Sequence, residues 1–100
     1  MTVYDLTLAE LRAKLDSREL SAVEVTNAYL DRIATTNPAL NTFITQCNET
    51  AIAEAQAADQ AIAAGRAEPL TGMPIAAKDI FNTVGLPTTC ASHILDNYIS

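Results

Sequence analysis

The chain has 100 residues, 49% of them hydrophobic and 18% charged, a composition that suits one small globular domain and excludes a disordered chain. Six Lys and Arg against twelve Asp and Glu leave a formal charge of −6, which excludes a phosphate-neutralising surface, so this segment is not expected to grip nucleic acid itself. Cys47 and Cys90 have neither disulfide-framework nor metal-ligand spacing, no apolar run is long enough to span a membrane, and Asp5, Glu10, Asp16 and Glu19 argue against a transit peptide. The expectation is a cytoplasmic protein with reduced thiols.

The first helix is announced by a capping box, Thr7-Leu8-Ala9-Glu10, with Leu6 and Leu11 at the positions of a hydrophobic staple. Leu8, Leu11 and Leu15 follow at steps of three and four, the period of an amphipathic helix. The same device recurs at Ser21-Ala22-Val23-Glu24, flanked by Leu20 and Val25, and predicts a second helix to about Thr36 with Ala22, Val25, Tyr29 and Ile33 on its apolar face. Asn37-Pro38 is expected to stop it, because proline disfavours helical geometry in the residue before it.

Asn41-Thr42-Phe43-Ile44-Thr45-Gln46 is β-branched and aromatic without a helical stripe, and reads as a strand. Asn48 is expected to cap a third helix whose Ala51, Ala55, Ala58 and Ile62 form a small-residue face, and Gly65 to end it. From Arg66 onward the helical period is lost. Met73 to Ala77 reads as a buried strand that delivers Lys78 and Asp79 to its edge. The fold class is therefore α/β, a helical region over 1–65 followed by a strand and loop region over 66–100. Two or three strands are too few for a self-sufficient mixed sheet, so the chain is expected to be part of a longer one.

Lys78 is the residue with the most to offer chemically. It can be a solvated strand-end lysine or a buried base, and the second role requires the neutral amine. With an ordinary pKa near 10.4, about one lysine in a few thousand is neutral at pH 7. A base at this position would need a lowering equivalent to about 4 kcal/mol, from desolvation or nearby cationic groups. Asp79 would point to the opposite face of a continuing strand, and so reads as a structural group that caps or binds a turn amide. Cys90 and His93 lack a third, orienting group and are too few for zinc; a core cysteine and a surface histidine are expected. Tyr4, Tyr29 and Tyr98 show no clustering and read as packing residues. None of the four serines, Ser17, Ser21, Ser92 and Ser100, stands in a glycine-flanked nucleophile turn, and Gly65, Gly72 and Gly85 form no phosphate-cradling loop. The chain offers a candidate base without a nucleophile.

The run Pro69-Leu70-Thr71-Gly72-Met73-Pro74-Ile75-Ala76-Ala77-Lys78-Asp79 resembles the Pro-Leu-x-Gly-x-Pro-x-x-x-Lys-Asp segment of the amidase-signature family. The upstream order of two helices, Asn-Pro, strand and alanine-rich helix is similar to the family as well. The resemblance implies an α/β fold in which these residues are the amino-terminal helices and first strands of a mixed sheet. It also implies amide hydrolysis by a serine nucleophile, a second serine bridging through a cis peptide, and a lysine, whose place Lys78 takes. The two serines and the oxyanion hole belong to a stretch downstream of residue 100, so these 100 residues alone are expected to be inactive.

Within that family, Thr88-Thr89-Cys90-Ala91-Ser92 and Ile94-Leu95-Asp96-Asn97-Tyr98 are similar to the branch of tRNA-dependent amidotransferase A subunits; general amidases more often place Ala-Gly-Ser after the paired threonines. That branch implies glutamine as substrate and ammonia passed to another subunit of a heterotrimer, where ATP and Mg2+ serve to activate tRNA-borne glutamate. A stand-alone amidase acting on a small carboxylic amide, and a small helical interaction module without catalysis, remain open alternatives on the residues alone.

Overall fold

The computed structural model describes residues 3–95 and 97–99; Met1, Thr2, Asp96 and Ser100 lie outside the described residues. Three helices make up its ordered elements: α1 (Leu8–Asp16), α2 (Ala22–Leu40) and α3 (Asn48–Ala63), with single 3-10 turns at Val3–Asp5 and His93–Leu95. Both capping boxes form as the sequence predicts. Thr7 Oγ1 accepts from Glu10 N at 3.2 Å and Glu10 Oε1 from Thr7 N at 3.3 Å, while Ser21 Oγ accepts from Glu24 N at 3.0 Å and Glu24 Oε1 from Ser21 N at 3.2 Å.

Leu11, Leu15, Ala22, Val25 and Ala55 are buried together, with Leu6, Leu20, Tyr29, Ala58, Ile62 and Met73 packed around them. The staple leucines thus serve the core, and the small face of α3 lets it lie closely along α2. Leu8, expected on the apolar face of α1, is instead 63% exposed, because as the first helical residue it lies beyond the reach of α2 and α3. Tyr4 and Tyr29, expected to be separate, meet edge to face at 6.4 Å. The Arg32 guanidinium lies 5.0 Å from the Tyr4 ring centre, an attractive cation–π geometry that ties the amino-terminal turn to α2.

Helix α2 does not stop at Thr36. It carries Pro38 inside its last turn and ends at Leu40, with Asn41 in the left-handed conformation as its cap (φ 50°) and its N–H donating to the Asn37 carbonyl. Asn37 compensates for the proline by gripping the chain beyond: its Oδ1 accepts from Phe43 N at 2.8 Å and its Nδ2 donates to Phe43 O at 3.2 Å. The expected strand at 41–46 is accordingly absent, since the Phe43 backbone spends its bonds on a side chain rather than on a ladder. Cys47, not Asn48, occupies the cap position of α3, and it makes no side-chain cap bond. Gly65 ends α3 at φ +73°, where the Arg66 N–H reaches the Ala61 carbonyl at 2.8 Å and the Gly65 N–H the Ile62 carbonyl at 3.1 Å, a paired closure that needs the left-handed residue.

The second expected strand, Met73 to Ala77, is also absent: Met73 touches the helical core, whereas Ile75 is 87% exposed. Among the described residues the sole β pairing is an isolated antiparallel bridge between Pro87 and Ile99. The sheet expected of an α/β fold is thus not formed within these residues, because an apolar run becomes a strand only when a neighbour supplies the other half of each hydrogen bond. The radius of gyration, 14.8 Å, exceeds the roughly 13 Å of a compact 100-residue domain; the segment after residue 74 lies largely outside the core.

Candidate functional site

The path to Lys78 begins on α1. Arg12 projects across the helical layer to the turn at 68–71, where its Nη1 donates to the carbonyls of Glu68 (3.2 Å), Pro69 (3.4 Å) and Thr71. Asp16, one helical turn on, holds the guanidinium from behind, with Oδ1 at 3.0 Å from Nε and 2.8 Å from Nη2. The turn closes on itself as Thr71 Oγ1 accepts from Glu68 N at 2.9 Å. Gly72 then lies directly on the core. Its φ is +87°, and a Cβ there would come within 3.3 Å of Leu15 Cδ1, 3.4 Å of Ala22 Cβ and 3.6 Å of Ile62 Cδ1, one neighbour on each helix. Only a residue without a side chain adopts this conformation at this distance without strain.

Met73 and Pro74 carry the chain away from that anchor along a shallow groove of about 270 Å3 lined by Thr26, Ala55, Ala58, Gly72, Met73 and Pro74 among others. The groove holds neither Lys78 nor a nucleophile. Lys78 itself is exposed, at a turn in which its carbonyl accepts from Phe81 N at 3.2 Å. Lys78 is thus not buried here: with no sheet around residues 73–77, these residues supply no apolar enclosure.

Asp79 has the structural role its position suggests. Its Oδ1 accepts from Thr89 N at 2.9 Å, its Oδ2 from the Thr89 hydroxyl and, at 3.4 Å, from Ala91 N, and its own carbonyl accepts from Cys90 N at 2.9 Å. These bonds hold its carboxyl below the ordinary value of 3.8, the Thr89 hydroxyl contributing most and the Thr89 amide next. Cys90 is exposed rather than in the core, and both it and Ala91 take positive φ (52° and 58°). His93 is exposed, as expected. Among the described residues no three of His, Cys, Asp or Glu converge as metal ligands.

Two sets of partners escaped the sequence reading: that Arg12 reaches the 68–71 turn, and that the turn amides expected for Asp79 are those of Thr89 and Ala91. The second could have been found from the Asp79 and Thr88-Thr89 pair, since a carboxylate and threonines about ten residues apart bracket a closed loop; the first spans 56–59 residues and has no local signal.

The Amidase family model matches residues 24–100, more than three quarters of the chain. The chain belongs to the amidase family. Its relatives include proteins named as glutamyl-tRNA(Gln) amidotransferase A subunits. The one from Pelobacter propionicus is 59% identical over 99 residues, 99% of this chain and 20% of that protein. Those from Trichlorobacter lovleyi and Geobacter metallireducens are 51% and 54% identical over 100 and 99 residues, which are 21% and 20% of their lengths. The chain spans about a fifth of the length of these relatives, their amino-terminal part. As an amidase-family segment, it shows why Gly72 stands in the Pro-Leu-x-Gly-x-Pro run: the glycine is where the lysine-bearing segment docks on the helices. No described helix is long and apolar enough to cross a membrane.

Proposed function

We propose that this chain is the amino-terminal part of a glutamine amidohydrolase subunit that supplies ammonia for the ATP-dependent conversion of Glu-tRNA(Gln) to Gln-tRNA(Gln). The observation that carries the reading is identity of 59% across 99 residues to a relative named for that amidotransferase; the same likeness disfavours a stand-alone amidase and a non-catalytic module.

In this reading Lys78 is the general base of a Ser-cis-Ser-Lys set whose serines lie in the rest of the protein. The neutral amine takes a proton from the bridging serine, which takes one from the nucleophile as its oxygen attacks the glutamine side-chain amide. The proton returns to the departing nitrogen, ammonia leaves, and water frees the acyl-enzyme by the same relay in reverse. The remainder of the domain supplies the sheet partners for residues 73–77 and the apolar cover that favours a neutral lysine. ATP and Mg2+ serve the partner subunit, which also meets the tRNA. A cytoplasmic location suits this chemistry.

Ammonia release from glutamine by the complete protein tests the reading. Lys78→Ala is expected to abolish it, and Lys78→Arg to be nearly as damaging because arginine does not lose its proton. Residues 1–100 alone are expected to release none. Wild-type rates from either variant would return Lys78 to the role of a solvated surface residue.

A further inference from the structure

Lys78 carries a long, flexible side chain, and at an exposed turn its amine is directed by whatever fixes its backbone. Two anchors do so. On the amino-terminal side, Gly72 and Met73 rest on the helical core. On the other side is Asp79, the next residue, whose carboxylate and carbonyl together accept from Thr89 N, the Thr89 hydroxyl, Cys90 N and Ala91 N. Thr88, buried to 3% exposure, adds a fifth closure by donating its hydroxyl to the Phe81 carbonyl at 3.0 Å.

We propose that Asp79 is a positioning residue for Lys78, locking the 79–91 loop through Thr89 and so fixing the direction in which the lysine leaves the chain; the inference rests on the reading of Lys78 as the general base. The conformations of Cys90 and Ala91 support it. Two successive non-glycine residues at positive φ are unfavourable and persist only where surroundings over-determine them. What over-determines them here is one carboxylate gathering the amides of residues 89 and 91, with the Thr89 hydroxyl bonded to it and accepting in turn from Ala91 N at 3.2 Å. A loop held in an unfavourable conformation by the residue adjoining the base is an arrangement suited to precision, and general-base geometry tolerates only about 0.5 Å of misplacement.

The test uses the complete protein with its partner subunits, and measures kcat and KM for glutamine-dependent ammonia release together with the folded fraction by circular dichroism. Asp79→Asn and Thr89→Val are expected to lower kcat by about ten- to a hundredfold per folded molecule, the scale of a base displaced by about 1 Å, with KM changed less than about twofold. Thr89→Ser, which restores the hydroxyl, is expected to recover most of the loss. If Lys78→Ala is inactive while Asp79→Asn and Thr89→Val keep kcat within about twofold of wild type, or lose activity only in proportion to lost folded protein, the positioning role is overturned. If Lys78→Ala itself retains activity, the reading of the base fails and this inference with it.

Discussion

Removing the carboxylate of Asp59 is expected to damage the helical half at the junction of α2 and α3. Asp59 sits on α3 and accepts from the first two amides of α2, Ala22 N at 2.6 Å on Oδ1 and Val23 N at 3.2 Å on Oδ2. With Glu24 serving Ser21 N and Ser21 serving Glu24 N, every orphan donor at this helix start has a partner, and the charge lies at the positive end of the helix dipole. In Asp59→Ala the Ala22 amide, on a residue with no exposed surface, loses its acceptor without access to water. Hydrogen bonds to a charged group contribute about 1.5–3 kcal/mol net, and the dipole term about 0.3–1 kcal/mol. Alanine returns about 0.5 kcal/mol of helix propensity to α3. The balance is a loss of about 2–3 kcal/mol, which at a urea m-value of roughly 1–2 kcal/mol/M lowers the midpoint by about 1–3 M. Far-UV circular dichroism in a urea series reads this directly. A loss below about 0.5 kcal/mol would show that water or a shifted helix start replaces the carboxylate, and would refute the inter-helix cap.

Ser21→Ala removes only the local cap on Glu24 N, and is expected to cost about 1 kcal/mol in the same titration; no change beyond error would mean that Asp59 alone holds the helix start. Gly72→Ala forces a side chain into a left-handed conformation and against Leu15, and should cost about 1–3 kcal/mol; a neutral result would place the 68–73 turn off the core. Because the Asp79 carboxyl is held below its ordinary value of 3.8, the stability its bonds contribute is complete above that unfolded value and is lost as pH falls through the lower folded value. The Thr89 and Ala91 amide resonances should therefore shift in acid below about pH 4, and their constancy down to about pH 2 would remove Asp79 as their acceptor.

What the sequence made legible follows the range of each interaction. The starts of α1 and α2 were readable because a capping box and staple are complete within six residues, and the end of α3 because Gly65 alone supplies the left-handed turn. The end of α2 was misread because Pro38 was weighed without Asn37, whose side chain holds Phe43 and stabilises the turn that the proline weakens. Residues 41–46 and 73–77 have strand-like composition, but composition names a preference for a pleated surface, and the surface must come from elsewhere in the chain. Lys78 was found through its motif, and its exposed setting is one of the two that the sequence left open. Arg12 and Asp59 looked like ordinary helix-surface charges; only their partners, 56–59 and 36–37 residues away in sequence, distinguish them.

The two halves of the chain are held by different forces. The helices are closed by burial of Leu15, Val25 and Ala22, and by caps that satisfy their ends, so they need little more than one another. Beyond Gly72 the chain is held chiefly by polar bonds at Asp79 and Thr88, while Ile75, Val84 and Ile94 stand 87%, 92% and 89% exposed. Removing side chains of this size from water would contribute about 25 cal/mol per Å2. The backbone beside Lys78 is thus fixed by hydrogen bonds made inside this segment, and if Lys78 is the base proposed above, the burial that would favour its neutral amine has to be supplied from outside these residues.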